Sequence, residues 1–339
     1  MSILVQTEIV YSKIFDKHTY IEHPENAERT KVMLEELRRQ PFFKKLVFKE
    51  PMLLPENILY SVHSDAMIQE VKRLSETGNG WIDADTYVCK DDYITARLAA
   101  GGLLQLCRDV LHGDADNGVA LIRPPGHHAT KYRSMGFCLF NNAAISAHVL
   151  MEQGNRVLIF DHDVHHGNGT QDIFYDNDKV LYQSFHLFPH YPGTGSIDEI
   201  GLDKGEGYTV NAPLPHGSGE NTINRLLEEI FLPIAEEFKP DIVIVSSGFD
   251  SHHLDPLGGL KLSANFYGEL IKKFQKIQTK IVCTLEGGYN LNWIGKCLAS
   301  IVGQLCSTPI YIEDTVKEYN HAEDVVNSLN NKMKNYWNI

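Results

Sequence analysis

The sequence predicts an α/β protein in which helices cover both faces of a mostly parallel β-sheet. Short apolar, β-branched runs alternate with longer segments of helical period, and nothing divides the 339 residues into separate units. Strands buried on both faces appear as continuous apolar runs, and parallel strands need crossover helices between them. Since the chain contains no repeat, low-complexity tract or linker, we expect one domain over residues 1–339.

Seven apolar runs are predicted to be strands. In chain order they are Ile3–Tyr11, Val119–Ile122, Val157–Phe160, Val180–Gln183, Tyr208–Val210, Asp241–Ser247 and Lys280–Leu285. Seven segments with helical spacing of apolar residues accompany them. These predicted helices are Asn26–Arg39, Asp65–Glu76, Asp91–His112, Asn142–Gln153, Glu220–Phe238, Asn265–Ile277 and Asn292–Gln304. The polar tail from Glu313 (about residues 313–339) also has a helical pattern, and we expect it to pack on the outside.

Five of the strands lead directly into sequences rich in His, Asp and Tyr. These sequences are 123–128 (RPPGHH), 161–169 (DHDVHHGNG), 184–186 (SFH), 248–259 (GFDSHHLDPLGG) and 286–289 (EGGY). In an open α/β sheet the ligand crevice forms at the carboxyl ends of the strands. The sequence therefore predicts a functional site at that edge.

Charge and cysteine content restrict the classes of function. The chain has 31 basic and 44 acidic residues, a net charge of −13, which disfavours nucleic-acid binding and suits a cationic substrate. The six cysteines form no C-x-x-C pair and indicate reduced thiols. We also find no signal peptide and no run of about eighteen apolar residues. These features predict a cytoplasmic protein that does not bind membranes.

A metal site is predicted after the third strand. Asp161, Asp163 and His165 recur at a spacing of two, so they project from one face if the strand continues. Asp255, at the end of another strand, is the candidate third ligand, and an Asp-His-Asp set leaves coordination positions open, as in catalytic zinc sites. Turn or cap hydrogen bonding is the alternative for an isolated Asp-x-His. Here the density of buried carboxylates favours a cation.

His127 and His128 follow a rigid Pro-Pro-Gly turn and suit proton transfer beside a metal. Asp161 and Asn168 are candidate partners for their far ring nitrogens. The alternative is that one histidine merely hydrogen-bonds its loop. Tyr289 belongs either to a simple strand-to-helix turn or, beside a metal, to the donors for a developing oxyanion.

Seven motifs together resemble the zinc-dependent histone deacetylases, in particular the class II-like and bacterial members, and their acetylpolyamine amidohydrolase relatives. The motifs are 23–29 (HPENAER), 123–128 (RPPGHH), 136–138 (GFC), 141–142 (NN), 163–169 (DVHHGNG), 192–195 (PGTG) and 286–289 (EGGY). The resemblance extends from about His23 to Trp293. It implies an arginase-like fold with about eight strands.

The resemblance assigns roles at the site. It implies one catalytic zinc ion bound by Asp163, His165 and Asp255. His128, paired with Asn168, would be the general base and later acid, and His127, paired with Asp161, would act electrostatically. Tyr289 would polarise the acyl carbonyl. Catalytic roles are thus implied for His127, His128, Tyr289, Asp161 and Asn168.

The resemblance also implies the substrate contacts. Phe137 and Tyr191 would form the walls of an acyl-lysine tunnel, with a backbone contact from Gly136. Arg29 would line a cavity behind the zinc and help acetate leave. A rim aspartate, Asp83 or Asp85, would bind substrate backbone amides; we favour Asp85.

Two departures narrow the subtype. Asn168 occupies the position where one branch of the family carries aspartate, and asparagine there resembles the class II branch and its bacterial relatives. Leu257 stands where a polyamine-selective branch carries glutamate, which favours an acyl-lysine substrate. One or two structural potassium ions are also implied. The first would lie near Asp161, Asp163, His165, Ser184 and Phe185, and the second near Phe174, Asn177, Val180 and Tyr208.

Three functions remain in competition. The favoured one is zinc-dependent hydrolysis of acetyl- or acyl-lysine in proteins or peptides, and the runner-up is hydrolysis of acetylpolyamines. A non-catalytic acyl-lysine reader would need neither the histidine pair nor Tyr289. An arginase-type dimanganese enzyme would want more carboxylate ligands. Acyl-chain preference, physiological substrate and oligomeric state stay open.

Overall fold

Eight strands form one fully parallel sheet in a computed structural model that describes residues 5–78, 80–317, 319 and 321–339. The strands of the chain are β1 (Thr7–Val10), β2 (Val47–Lys49), β3 (Gly80–Trp81), β4 (Tyr87–Val88), β5 (Asn117–Ala120), β6 (Val157–Asp161), β7 (Val180–Leu187), β8 (Thr209–Leu214), β9 (Ile242–Ser247) and β10 (Ile281–Leu285). The order in the large sheet is β2-β1-β5-β10-β9-β6-β7-β8. β3 and β4 form a separate antiparallel ribbon.

Helices connect the strands and cover the sheet. They are α1 (Glu28–Arg39), α2 (Glu56–Leu59), α3 (Asp65–Thr77), α4 (Asp92–His112), α5 (Asn142–Glu152), α6 (Asn168–Phe174), α7 (Glu220–Leu226), α8 (Leu232–Phe238), α9 (Ala264–Phe274), α10 (Ile294–Leu305) and α11 (Glu323–Met333). A π-helical turn, Leu227–Phe231, joins α7 to α8, where the sequence predicts one helix. Within the described ranges, no helix combines the length and apolar character needed to cross a membrane.

Apolar side chains on both faces of the sheet confirm the predicted layers. On β6, Leu158 and Phe160 pack on one face with residues of α1, α8, α9 and α10. Val157 and Ile159 point to the other face, among residues of α3, α4 and α5. Because both faces are covered, the successive residues Val157–Phe160 of β6 are all apolar, and this is why the strand could be recognised as a continuous run.

The C-terminal tail differs from its prediction. The helical segment was expected from Glu313, but α11 begins only at Glu323 and the described residues of 313–322 are not helical. Val326, Leu329 and Met333 of α11 are buried in the apolar core. The predicted first strand is shorter too, since the structure has Thr7–Val10 and residues 1–4 lie outside the described part.

β10 occupies the centre of the sheet. Cys283 is in register with Val119 of β5 on one side and with Val245 of β9 on the other. β10 therefore joins a three-stranded part, β2-β1-β5, to a four-stranded part, β9-β6-β7-β8. The carboxyl ends of β5, β10, β9 and β6 lie side by side, so their polar loops converge.

Candidate active site

A cleft of about 380 Å³ opens where these four loops converge. Its lining includes nine of the residues that the sequence analysis selects, namely Asp85, His127, His128, Gly136, Phe137, His165, Tyr191, Leu257 and Tyr289. Arg29, Asp161 and Asn168 lie behind this lining, in contact with it. The structure thus brings the predicted catalytic and substrate-binding residues to one place.

Two carboxylates and one imidazole form a cluster at the cleft floor. His165 Nδ1 lies 3.1 Å from Asp163 Oδ1 and 3.2 Å from Asp250 Oδ2, and the three ligand atoms lie within 4.8 Å of one another. Burial and the negative charges of Asp163 and Asp255 raise the pKa of Asp250 to about 7. A divalent cation would neutralise this concentration of buried charge, so the donor set fits a metal ion.

Asp250 stands in this cluster where the sequence analysis expected Asp255. The Asp255 carboxylate accepts hydrogen bonds from the backbone N–H groups of Tyr289 at 2.6 Å, Asn290 at 3.0 Å and Leu257 at 3.0 Å. Sequence reasoning missed Asp250, although it lies only three residues beyond the end of β9. Asp255 remains the predicted ligand, and Asp250 becomes a second candidate for the same role.

The tandem histidines have different partners. His127 Nδ1 lies 3.1 Å from Asp161 Oδ2, whereas His128 Nδ1 lies 2.8 Å from the Asn168 side-chain oxygen. Although burial lowers it, the negative charges of Asp163 and Asp161 raise the pKa of His127 to about 10. Burial and the positive charge of His127 hold the pKa of His128 well below its ordinary value. The pKa values of the two neighbouring rings are therefore shifted in opposite directions.

Glu286 positions the histidine loop, and the sequence analysis missed this role. Its buried carboxylate accepts the backbone N–H groups of Gly126 at 2.7 Å and His127 at 3.1 Å. Burial raises the pKa of Glu286 to about 7. The 286–289 motif was recognised, but its glutamate carries no signal that distinguishes it from a turn residue. Its partners are 160 and 159 residues away in the chain.

Arg29 lies behind Tyr289. Its guanidinium is 5.0 Å from the centre of the Tyr289 ring and donates to the backbone carbonyls of Gly288 at 2.7 Å and Glu286 at 2.5 Å. The arginine is fully buried. It therefore fixes the backbone on which Tyr289 stands.

Aromatic rings form the walls of the cleft. The Phe137 ring meets the Tyr289 ring edge to face at 5.9 Å, and Tyr191, 38% exposed, meets His128 in the same way at 5.1 Å. Gly136 has φ +56°, and a Cβ there would lie 2.5 Å from His128 Cδ2. Only glycine allows the wall to approach His128 this closely.

Asp83 and Asp85 have different surroundings. Asp83 Oδ1 accepts the backbone N–H groups of Thr86 at 2.8 Å and Asp85 at 3.2 Å, which closes the turn between β3 and β4. Asp85 lines the cleft instead, together with Leu257. This placement favours Asp85 as the rim residue.

The residues named for potassium have protein partners. Ser184 Oγ is hydrogen-bonded to His186 Nδ1 at 2.9 Å. In the second group, the Phe174 carbonyl accepts the N–H of Asn177 at 3.0 Å, and the Asn177 side-chain oxygen accepts the N–H of Val180 at 3.2 Å. Both potassium sites remain predictions.

A buried ionic network contacts the site through Arg29. The Glu25 carboxylate accepts two hydrogen bonds from Arg123, at 2.5 and 2.7 Å, and one from Arg29 at 3.1 Å. All three side chains are fully buried. The network connects the residues that precede α1 with the chain that follows β5 and β10.

We expect Glu25→Ala to lower the free energy of unfolding by about 3–5 kcal/mol, because it leaves the buried charge of Arg123 without its partner. Urea unfolding followed by circular dichroism measures this. Glu28→Ala is the matched control, since its ion pair with Lys31 is exposed and worth at most about 1 kcal/mol. Equal losses in the two variants would show that the network does not stabilise the fold.

Comparison with known proteins agrees with this geometry. The family model of the histone deacetylase domain matches residues 23–305. A probable deacetylase of Archaeoglobus fulgidus is 40% identical over 294 residues, or 84% of this chain and 82% of that protein. Histone deacetylase 15 of Arabidopsis thaliana is 39% identical over 287 residues, or 83% of this chain, which spans only 52% of that longer protein.

A solved structure gives the same result. The crystal structure of the HDA15 HD domain matches with a TM-score of 0.91 and 34% identity, over 99% of this chain and 96% of that one. The match confirms the arginase-like fold that the sequence resemblance implies. The chain belongs to the histone deacetylase family of hydrolytic deacetylases.

Proposed function

We propose that the protein hydrolyses the acyl amide of N-ε-acetyl-lysine, or a related acyl-lysine, in proteins or peptides and releases acetate and lysine. One observation supports this most directly. The aromatic cleft ends at a buried Asp163–His165 cluster, with His128 and Tyr289 beside it. An apolar passage of this kind suits the four-carbon lysine stem, and the polar floor suits amide hydrolysis.

The donor set fits one zinc ion. Asp163 and His165 would hold it with a third carboxylate, which the family resemblance assigns to Asp255 and for which Asp250 is the alternative. When bound, zinc would act as a Lewis acid on the acyl carbonyl and lower the pKa of a bound water.

The histidines divide the proton chemistry. If His128 Nδ1–H donates to the Asn168 oxygen, its Nε2 is unprotonated and can take a proton from the attacking water. The same nitrogen can then return the proton to the leaving lysine amine. His127, charged by its pairing with Asp161, would stabilise the developing negative charge without accepting a proton. The Tyr289 hydroxyl would donate to the oxyanion.

The cleft rim favours a peptide over a polyamine. Asp85 can accept backbone N–H groups that flank the acyl-lysine, and a free polyamine has none. Leu257 supplies no carboxylate for the second ammonium group of a polyamine. The net charge of −13 attracts both cationic substrates and so does not discriminate between them.

We therefore expect kcat/KM to be higher for acetyl-lysine peptides than for N-acetylputrescine or N-acetylspermidine. Leu257→Glu should reduce the difference in kcat/KM between the two substrate classes, because the new carboxylate attracts the polyamine through a screened interaction. Steady-state kinetics on both substrate classes measures this, and Leu257→Gln controls for shape without charge. Wild-type protein that preferred the acetylpolyamines by about tenfold or more would replace this proposal with its runner-up, an acetylpolyamine amidohydrolase.

We also propose a cytoplasmic location and one or two structural potassium ions. The six cysteines, all free and mostly buried, are consistent with a reducing compartment. The potassium proposal rests on the family resemblance, and a higher melting temperature in potassium than in sodium buffer would support it.

A further inference from the structure

A buried carboxylate in the C-terminal segment lies beyond residue 305, where the family match ends. Asp314 Oδ1 lies 2.9 Å from His253 Nε2, and its Oδ2 lies 3.1 Å from His252 Nε2. Oδ2 also accepts the backbone N–H of Ala264, at the start of α9, at 2.8 Å. The Asp314 side chain is 2% exposed. Each carboxylate oxygen of Asp314 therefore has at least one partner within the protein.

These three side chains are close enough to hold a metal ion, but their hydrogen bonds favour another arrangement. His252 Nδ1 accepts the backbone N–H of Leu254 at 3.2 Å, so its Nε2 carries the ring hydrogen and donates to Asp314. A metal on Nε2 would require that hydrogen to move to Nδ1, where it would face the Leu254 N–H. The His252 ring is also stacked on Trp293 at 4.8 Å. The cluster is therefore a structural anchor, which holds the C-terminal segment to the loop after β9, and not a set of metal ligands.

In the sequence, His252 and His253 lie between the two candidates for the third metal ligand, Asp250 and Asp255. A backbone hydrogen bond also holds the loop that carries them, since the His253 N–H donates to the Leu262 carbonyl at 3.0 Å. Asp314 joins this loop to the C-terminal segment. We propose that Asp314 is a positioning residue that holds the 250–255 loop, and with it the third carboxylate of the metal site. This inference rests on the zinc site of the proposed function.

The test compares zinc binding by wild-type protein, Asp314→Ala and Asp314→Asn. Chelator competition on the purified full chain gives the zinc dissociation constant, and steady-state kinetics gives kcat and KM separately. We expect Asp314→Ala to bind zinc about 10–100-fold more weakly, the usual range for the loss of a group that orients metal ligands. Asp314→Asn should lose less, because its remaining oxygen can still accept one ring N–H. KM for an acetyl-lysine peptide should change little.

Trp337→Phe is the matched control in the same C-terminal segment. Its indole N–H donates to the Gly207 carbonyl at 2.8 Å, so the variant also loses a buried hydrogen bond but leaves the 250–255 loop untouched. We expect wild-type zinc affinity there. Equal effects of Trp337→Phe and Asp314→Asn would overturn the inference, as would two zinc ions in wild-type protein and one in Asp314→Ala.

Amide hydrogen exchange provides a readout that does not depend on zinc. We expect faster exchange at His253 and Leu262 in Asp314→Asn than in Trp337→Phe. If wild-type protein has no zinc affinity, the proposed function is contradicted. The exchange comparison then tests by itself whether Asp314 holds the 250–255 loop. Unchanged exchange in Asp314→Asn would overturn the anchor itself.

Discussion

An Asp163→Ala variant is expected to retain no zinc after dialysis and to have no measurable turnover of acetyl-lysine peptides. Asp163 is fully buried, and its two oxygens face His165 Nδ1 and the backbone N–H of Gly287 at 2.7 Å. It is therefore held rigidly at the centre of the proposed site. Zinc content by elemental analysis and kcat on the same preparation measure the effect. Stoichiometric zinc with a near-native rate would show that the ligand assignment is wrong.

The same measurement distinguishes the two candidates for the third ligand. We expect Asp255→Asn to lose zinc as Asp163→Ala does, and Asp250→Asn to retain more of it. The opposite order would transfer the ligand role to Asp250. Asp198→Ala is the control, because this carboxylate is 82% exposed and forms an ion pair with Lys332 on the surface. Its zinc content should equal that of the wild type.

His128→Ala is expected to reduce kcat more than His127→Ala, with zinc retained in both variants. General acid–base catalysis contributes about 10²–10⁴-fold, and we assign that part to His128. The structural reason is the partner of each ring. The amide oxygen of Asn168 leaves His128 neutral, with a nitrogen free to take a proton, whereas the carboxylate of Asp161 favours a charged His127.

The histidine comparison needs the two variants to be equally folded. Far-ultraviolet circular dichroism, melting temperature and zinc content should be matched before kcat is compared. Asn168→Asp offers a further check, because it exchanges the neutral partner of His128 for a charged one at nearly constant shape. A larger loss in His127→Ala than in His128→Ala would assign the base to His127.

The central sheet could be predicted because its strands are buried on both faces. β6 and β9 begin in the sequence with uninterrupted apolar runs, 157–160 and 242–245. β2 could not be found in this way, since it is a three-residue edge strand with two exposed residues. The predicted end of β7 at Gln183 was also too early. Ser184 and His186 resemble loop residues, but they continue the strand and are buried.

The site could be predicted as far as its residues follow strands directly. His128, Asp163 and Tyr289 were found because they belong to motifs at strand ends. Glu286 and Asp250 were missed as functional groups because their importance depends on partners that are distant in sequence. Only the three-dimensional packing shows that one carboxylate holds the histidine loop and that another touches His165.

The central position of β10 has a consequence for how the chain acquires activity. Until residues 281–285 are synthesised, the strands of both parts of the sheet can form, but β5 and β9 each present an unpaired edge to the other. Unpaired edges of this kind favour aggregation, and the pairing of β5 with β10 is also slow because Val119 and its partner Cys283 are distant in the chain. The loop after β10 also carries Glu286 and Tyr289. The pairing of β10 with β5 and β9 therefore removes the exposed edges and also brings Glu286 and Tyr289 to the site. A chain in which β10 has not yet paired is both prone to aggregation and inactive.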